Sequence, residues 1–252
     1  FANIAHGNSS IIADRIALKL CDYVVTESGF GADIGLEKFV NIKCRYSGLQ
    51  PDIVVLVATV RALKMHGGGP KVKAGVKPDP VYTTEHIDLL KIGLCNLGRH
   101  IEIAESFGIP VVVAINYFDT DTENELNTVI SYAKEKGVFD AVVSKHFSQG
   151  GKGAEQLAKA VATACEQKNN LQFTYALNSS VQEKINTIAC SLYNASKREY
   201  SDRALAQIKR YEQLGFGHLP VCMAKTQYSF SPPRRRLPHR LRQHPRLPHR
   251  HQ

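Results

Sequence analysis

The chain has 252 residues, 43% of them hydrophobic, and 32 basic against 23 acidic residues give a formal charge of +9. That size and apolar content exclude a wholly disordered chain and suffice for one large domain or two small ones. Seven of the 32 basic residues are arginines after residue 230, where no acid occurs; the remaining 25 basic against 23 acidic leave +2, too even a balance to steer nucleic acid generally.

Residues 1 to 8 are loop-like, and Ser9 is placed to cap a helix in which Ile12, Ile16 and Leu20 recur every four residues. A short strand is predicted at Tyr23–Thr26, then a glycine-rich turn at Gly29–Gly35 and a helix over Leu36–Lys43. The run Ile53 to Val57 is apolar without alternation, as expected of a strand covered on both faces of a parallel sheet. The segment 70–80, with three prolines and three lysines, reads as an exposed loop. Thr84 to Phe107 carries Ile87, Leu90, Leu94, Leu97 and Ile101, the stripe of a long amphipathic helix.

A second buried strand follows at Ile109–Ile115, then a helix over Thr122–Lys136 whose Thr122 and Glu125 are spaced for a capping box. A strand at Ala141–Ser144, a turn at Gly150–Gly153 and a helix over Ala154–Gln167 continue the alternation. Helices are expected at Val181–Leu192 and Arg203–Leu214, and a last strand at Leu219–Ala224. Strands alternating with helices predict an α/β fold, mainly parallel sheet flanked by helices, with right-handed crossovers.

From residue 230 the chain holds five prolines and repeats RLPHR, so residues 230–252 are predicted to be a disordered basic Pro/Arg/His tail, the alternative being a basic arm that binds RNA or an acidic surface. Six scattered cysteines with no C-x-x-C read as reduced thiols of an intracellular protein. No apolar run approaches the ~18 residues of a membrane helix. No cysteine or histidine pair has zinc-ligand spacing, so no metal site is expected.

The stretch VATVRALKMHGGG at Val57–Gly69 turns a strand into polar backbone. Arg61, Lys64 and His66 stand beside Gly67 and Gly68, whose lack of side chains lets amide donors approach an anion, or they form an ordinary solvated loop. In an open α/β sheet, ligands sit beyond the carboxyl ends of strands, where these residues fall. The element Asn116-Tyr117-Phe118-Asp119 imitates a guanine-selecting Asn-Lys-x-Asp but lacks the lysine, and the chain has no G-x-x-x-x-G-K-S/T loop, which argues against a GTPase.

VATVRALKMHGG resembles a signature of formate–tetrahydrofolate ligase. FANIAHGNSS at Phe1–Ser10, VVTESGFGADIGLEKF at Val24–Phe39 and LPVCMAKTQYS at Leu219–Ser229 resemble the same family in the same order. The resemblance implies a P-loop NTPase-like frame, here lacking the P-loop segment. It also implies an enzyme using ATP with Mg to activate formate as formyl phosphate for transfer to tetrahydrofolate. Because Phe1 stands inside a matched segment and the tail departs from the family, a fragment truncated at both ends is expected, inactive alone for want of the phosphate loop. The alternative is a non-catalytic remnant or interaction module keeping the fold and some folate affinity.

Carried over by position, the resemblance makes His6 a catalytic candidate, although a lone histidine with no visible partner also reads as one that is merely hydrogen-bonded. It makes Glu27, Gly29, Gly31 and Asp33 nucleotide-cleft candidates and sets Val143 against adenine, although a valine there also reads as plain strand core. Phe118 and Phe147 become the folate-stacking pair, Phe147 in place of the family's tryptophan, with less area and no N–H donor. Asp119 departs from the lysine or proline usual after the first aromatic, and Lys225 could face the site. Residues 1–176 would be a partial nucleotide- and folate-binding domain and 177–229 the start of a following α/β region. The implied partners are formate, tetrahydrofolate and ATP, with neither membrane nor nucleic acid and with room for a homo-oligomer, in cytoplasm or mitochondrion.

Overall fold

The computed structural model describes residues 10–72, 75–196 and 198–224. The chain divides into two compact units, one of residues 51–171 and a discontinuous one joining 1–50 to 172–252.

The 51–171 unit holds the sheet. Strands β1 (Val54–Ala58), β2 (Val111–Asn116) and β3 (Asp140–Ser144) pair in parallel in the order β1-β2-β3, with Val54 opposite Val111 and Val112 opposite Asp140. Only β2, between two neighbours, is buried along its apolar length. β1 was expected to be covered on both faces, but its burial alternates, leaving Val55 38% and Val57 59% exposed. It is an edge strand with one face uncovered, and its valines reflect the pleat rather than double burial.

Helix Ile87–Ser106 buries Leu90, Leu94, Leu97 and Ile101, and helix Glu123–Glu135 buries Leu126, Val129 and Ala133. Helix Glu155–Cys165 packs Ala160 and Ala164 against Val112 and Val142. Each stripe follows the 3.6-residue period, so helix existence and facing come directly from the apolar pattern. The Thr122–Glu125 capping box forms in both directions, through Glu125 N to Thr122 Oγ1 at 3.2 Å and Thr122 N to Glu125 Oε2 at 3.3 Å. A short helix, Val60–His66, occupies what read as loop, with Thr59 capping it through Ala62 N at 3.1 Å. Its backbone meets that of Ile87–Ser106 so closely that a Cβ on Gly67 would lie 2.0 Å from the Leu89 carbonyl oxygen, and one on Gly93 1.8 Å from that of Leu63.

In the other unit, helix Ile11–Leu20 starts at Ser10, one residue after the expected cap, and Ser10 accepts from Ala13 N at 3.1 Å. The expected helix over Leu36–Lys43 is wound as two π-helical turns, Ala32–Leu36 and Phe39–Cys44, a wide geometry uncommon outside functional or strained segments. Helices Val181–Ser191 and Asp202–Gln213 lie within two residues of expectation. The strands expected at Tyr23–Thr26 and Leu219–Ala224 do not form; both segments are irregular. Extended, β-branched residues make a strand only beside a partner ladder. Here side chains serve instead: Val221 N donates to the Tyr175 hydroxyl at 3.0 Å and Lys184 Nζ to the Leu219 carbonyl at 3.1 Å. No described helix is long and apolar enough to cross a membrane. The tail 230–252 lies outside the described residues.

Candidate functional site

The carboxyl ends of the three strands carry a shelf of aromatic and cationic side chains. The ladder runs one residue past β2, Tyr117 N donating to the Ser144 carbonyl at 3.1 Å, and the chain then turns at Phe118–Asp121. Phe118 N donates to Asp121 Oδ2 at 2.9 Å and Asp121 N to the Phe118 carbonyl at 2.8 Å, which fixes the direction in which Phe118 leaves the sheet. The Arg61 guanidinium lies 4.5 Å from the Phe118 ring centroid, and Lys145 Nζ 4.5 Å from that of Tyr117. Both distances are within cation–π range. Phe118 is 39% exposed, and Phe147, on a one-turn helix His146–Gln149 after β3, is 95% exposed. Val143 is half-buried inside β3.

The cluster Arg61, Lys64, His66, Gly67 and Gly68 does not open outward as one cradle. Lys64, 1% exposed, pairs with the fully buried Glu125 at 2.6 Å and donates to the Thr84 carbonyl at 2.8 Å. Glu125 also accepts from His86 N at 2.9 Å. The amides of Gly67, Gly68 and Gly69 donate to the carbonyls of Leu63, Met65 and Lys64 at 2.9, 3.1 and 3.0 Å. They therefore close a helix carboxyl end, where the backbone dipole carries partial negative charge, instead of pointing donors at an anion. Gly68 holds φ at +114°, a conformation that favours glycine whatever lies nearby. Partial burial pushes the His66 imidazole down, and burial beside His66 and Arg99 takes His100 down to about 4.

In the other unit, Gly31 opens the π-helical segment, its carbonyl accepting from Ile34 N at 3.0 Å and Gly35 N at 2.9 Å. A Cβ on Gly35 would lie 2.0 Å from the Gly29 carbonyl oxygen, so this pair of glycines allows a close backbone crossing. Glu27 is exposed; Asp33 is 2% exposed, and its carbonyl accepts from the Tyr193 hydroxyl at 2.9 Å. The segment also buries Glu37, Lys38 and Asn41. Asn41 Nδ2 donates to Glu37 Oε1 at 3.0 Å and Thr174 Oγ1 at 2.8 Å, and burial raises the Glu37 carboxyl to about 7. No local signal separates these charges from surface ones, because their burial depends on residues far along the chain.

Of the nucleotide candidates, Glu27, Gly29, Gly31 and Asp33 thus belong to one unit, and Val143 to the other, with Phe118 and Phe147. His6 and Lys225 lie outside the described residues. Among the described residues, no three His, Cys, Asp or Glu side chains converge as a metal cluster would require.

The model of the formate–tetrahydrofolate ligase family matches residues 1–239. The chain belongs to that family. It is 57% identical over 235 residues to the formate–tetrahydrofolate ligase of Spinacia oleracea, a match covering 92% of this chain and 37% of the relative. It is 57% identical over 234 residues to the mitochondrial monofunctional C1-tetrahydrofolate synthase of Mus musculus, covering 92% and 24%. Against the cytoplasmic C-1-tetrahydrofolate synthase of Homo sapiens, the figures are 56% over 234 residues, 92% and 25%. The chain therefore spans between 24% and 37% of the length of these curated relatives.

Proposed function

We propose that these residues are part of an ATP-dependent formate–tetrahydrofolate ligase and supply much of its folate slot. The reaction would transfer the terminal phosphoryl group of Mg-bound ATP to formate, giving formyl phosphate and ADP. Attack by the tenth-position nitrogen of tetrahydrofolate would then release phosphate and leave the formyl group on folate. The observation that carries the reading is the placement of Phe118, in a chain of this family, at the tip of the central parallel strand with its ring braced by Arg61. A flat heterocycle needs such a fixed aromatic face, and Phe147 would supply a second, exposed one.

His6 is assigned contact with the formyl or phosphate oxygens. Glu27, Gly29, Gly31 and Asp33 are assigned to the nucleotide, and Val143 to adenine. Arg61 faces the ligand, while Lys64, His66, Gly67 and Gly68 build the helix that carries it. Residues 1–176 would form the nucleotide- and folate-binding part and 177–229 the beginning of the next region, in a protein of cytoplasm or mitochondrion like the relatives named. The frame is read as P-loop NTPase-like. These 252 residues contain no G-x-x-x-x-G-K-S/T segment, so by themselves they should hold ATP phosphates poorly and turn over little.

Calorimetric titration with tetrahydrofolate and with ATP, beside an assay of formate-dependent ADP release, tests this. Folate binding without turnover is expected. ADP release strictly requiring formate would show an active ligase despite the missing loop. Absence of folate binding would overturn the assignment of Phe118 and Phe147.

A further inference from the structure

In the discontinuous unit, residues 173–175 lie in neither helix nor strand and are fastened to the π-helical segment by Asn41 and Arg45. Asn41 Nδ2 donates to Thr174 Oγ1 at 2.8 Å, and Asn41 Oδ1 accepts from Thr174 N at 2.9 Å. Arg45 donates to the Tyr175 carbonyl, its guanidinium 3.9 Å from the Phe173 ring centroid and 5.0 Å from that of Tyr175. Asn41 Nδ2 also donates to Glu37 Oε1 at 3.0 Å, so this carboxyl sets the orientation in which the amide meets Thr174. Glu37 is 1% exposed, and its Oε2 has no hydrogen-bond partner among the described residues. Such a site suits a neutral carboxyl and penalises an ionised one. Asp33 and Lys38 flank Glu37 on its own segment with opposite charges. Tyr175, Tyr193 after helix Val181–Ser191, and Cys222 lie close to it from the other elements, and burial pushes all three up, so they are neutral at pH 7. Burial therefore outweighs the Asn41 bond and the Lys38 charge, with Asp33 adding to the rise, and brings the Glu37 carboxyl to about 7.

We propose that residues 173–175 are a proton-operated strap: with Glu37 neutral, Asn41 holds Thr174 closed over the π-helical segment, and loss of the Glu37 proton releases it. An ionised carboxylate with no partner for one oxygen regains solvation when the chain covering it lifts, so the open state binds the proton more weakly than the closed one. The strap is tightest below about pH 4.5, where both states carry the proton, and loosens as pH rises to about 7. It thus titrates just below neutral pH, and it does not depend on the folate reading.

Hydrogen exchange of the Thr174 amide in the 252-residue chain, followed from about pH 5 to about pH 8 and corrected for the intrinsic rise of exchange with pH, tests this. The reference is the Leu192 amide, which donates to the Ile188 carbonyl at 3.0 Å among buried residues of the same unit. Thr174 should be less protected than Leu192 at every pH. Its protection should fall about tenfold per pH unit from about 5 to about 7 and then level off, because the closed state holds one more proton than the open one over that interval. In Glu37→Gln the protection of Thr174 should stay constant, since glutamine keeps an acceptor for Asn41 and cannot ionise. Protection of Thr174 that does not change with pH in the unaltered chain would overturn the proposal, whether or not the variant folds. A slope that survives in Glu37→Gln would assign the proton to another group and overturn it too. Equal protection of Thr174 and Leu192 would mean that the unit opens as a whole, leaving no separate strap.

Discussion

Lys64 and Glu125 are almost wholly excluded from solvent and 2.6 Å apart, so neither charge has water as an alternative partner. The pair also gathers backbone, Lys64 holding the Thr84 carbonyl and Glu125 the His86 and Thr122 amides. Removing one partner strands the other. Glu125→Ala should therefore destabilise the fold by roughly 3–5 kcal/mol, whereas Lys64→Met/Glu125→Leu, which removes both charges while keeping volume, should cost far less. Urea unfolding of the two variants decides it; equal losses would mean that the backbone contacts, and not the charge pair, carry the stability. Half of this contact was legible in the sequence. Thr122-x-x-Glu125 is a local signal and formed as read, but the second duty of Glu125, as counterion to a lysine on another helix, depends on tertiary packing. That is why Lys64 read as a loop cation among glycines.

The elements that were legible are those whose pattern is long enough to show a period: the helices over 87–106, 123–135 and 155–165 and the strands on either side of them. Val60–His66 was missed because seven residues give scarcely two turns of pattern, and the glycines after it read as a ligand loop instead of a helix end. Those glycines are better explained by the crossing with Ile87–Ser106. Gly67→Ala and Gly93→Ala each force a methyl into a backbone carbonyl and should cost about 1–3 kcal/mol by overpacking, seen as a lower urea midpoint. An unchanged midpoint would mean that the helices can part freely. β1 gives the opposite lesson, since an apolar run there marks an edge strand. Val55→Thr and Val57→Thr keep β-branching on the exposed face, so they should slow aggregation in light scattering while moving stability by no more than about 0.5 kcal/mol. Aggregation at the unaltered rate would place the sticky surface elsewhere.

Across the whole molecule the two units should respond to pH in opposite senses. Glu37, in the discontinuous unit, has its folded pKa raised by burial from 4.5 to about 7. The folded state therefore keeps a proton that the unfolded chain releases first, and this contribution is present below about pH 4.5, falls as pH rises, and is gone above about 7. His100, in the 51–171 unit, has its folded pKa lowered by burial from 6.5 to about 4. There the unfolded state takes up the proton first, so stability is complete above about 6.5 and is lost as pH falls through about 4. Between about 4.5 and 6.5 the slopes oppose, and total stability can look flat while both groups are strained. Glu37→Gln separates them, because glutamine keeps an oxygen to accept from Asn41 and cannot ionise. Measured against the unaltered chain by urea unfolding, this variant should gain steadily as pH rises from about 4.5 to about 7 and then hold constant. The full gain should be on the order of 3 kcal/mol, less what the amide loses in hydrogen bonding. A difference independent of pH would mean that Glu37 is ionised inside the fold throughout. In that case the buried Lys38 beside it, whose Nζ has no hydrogen-bond partner among the described residues, would be its counterion, and the polar cluster of the π-helical segment would be an ion pair instead of a protonated acid held by Asn41.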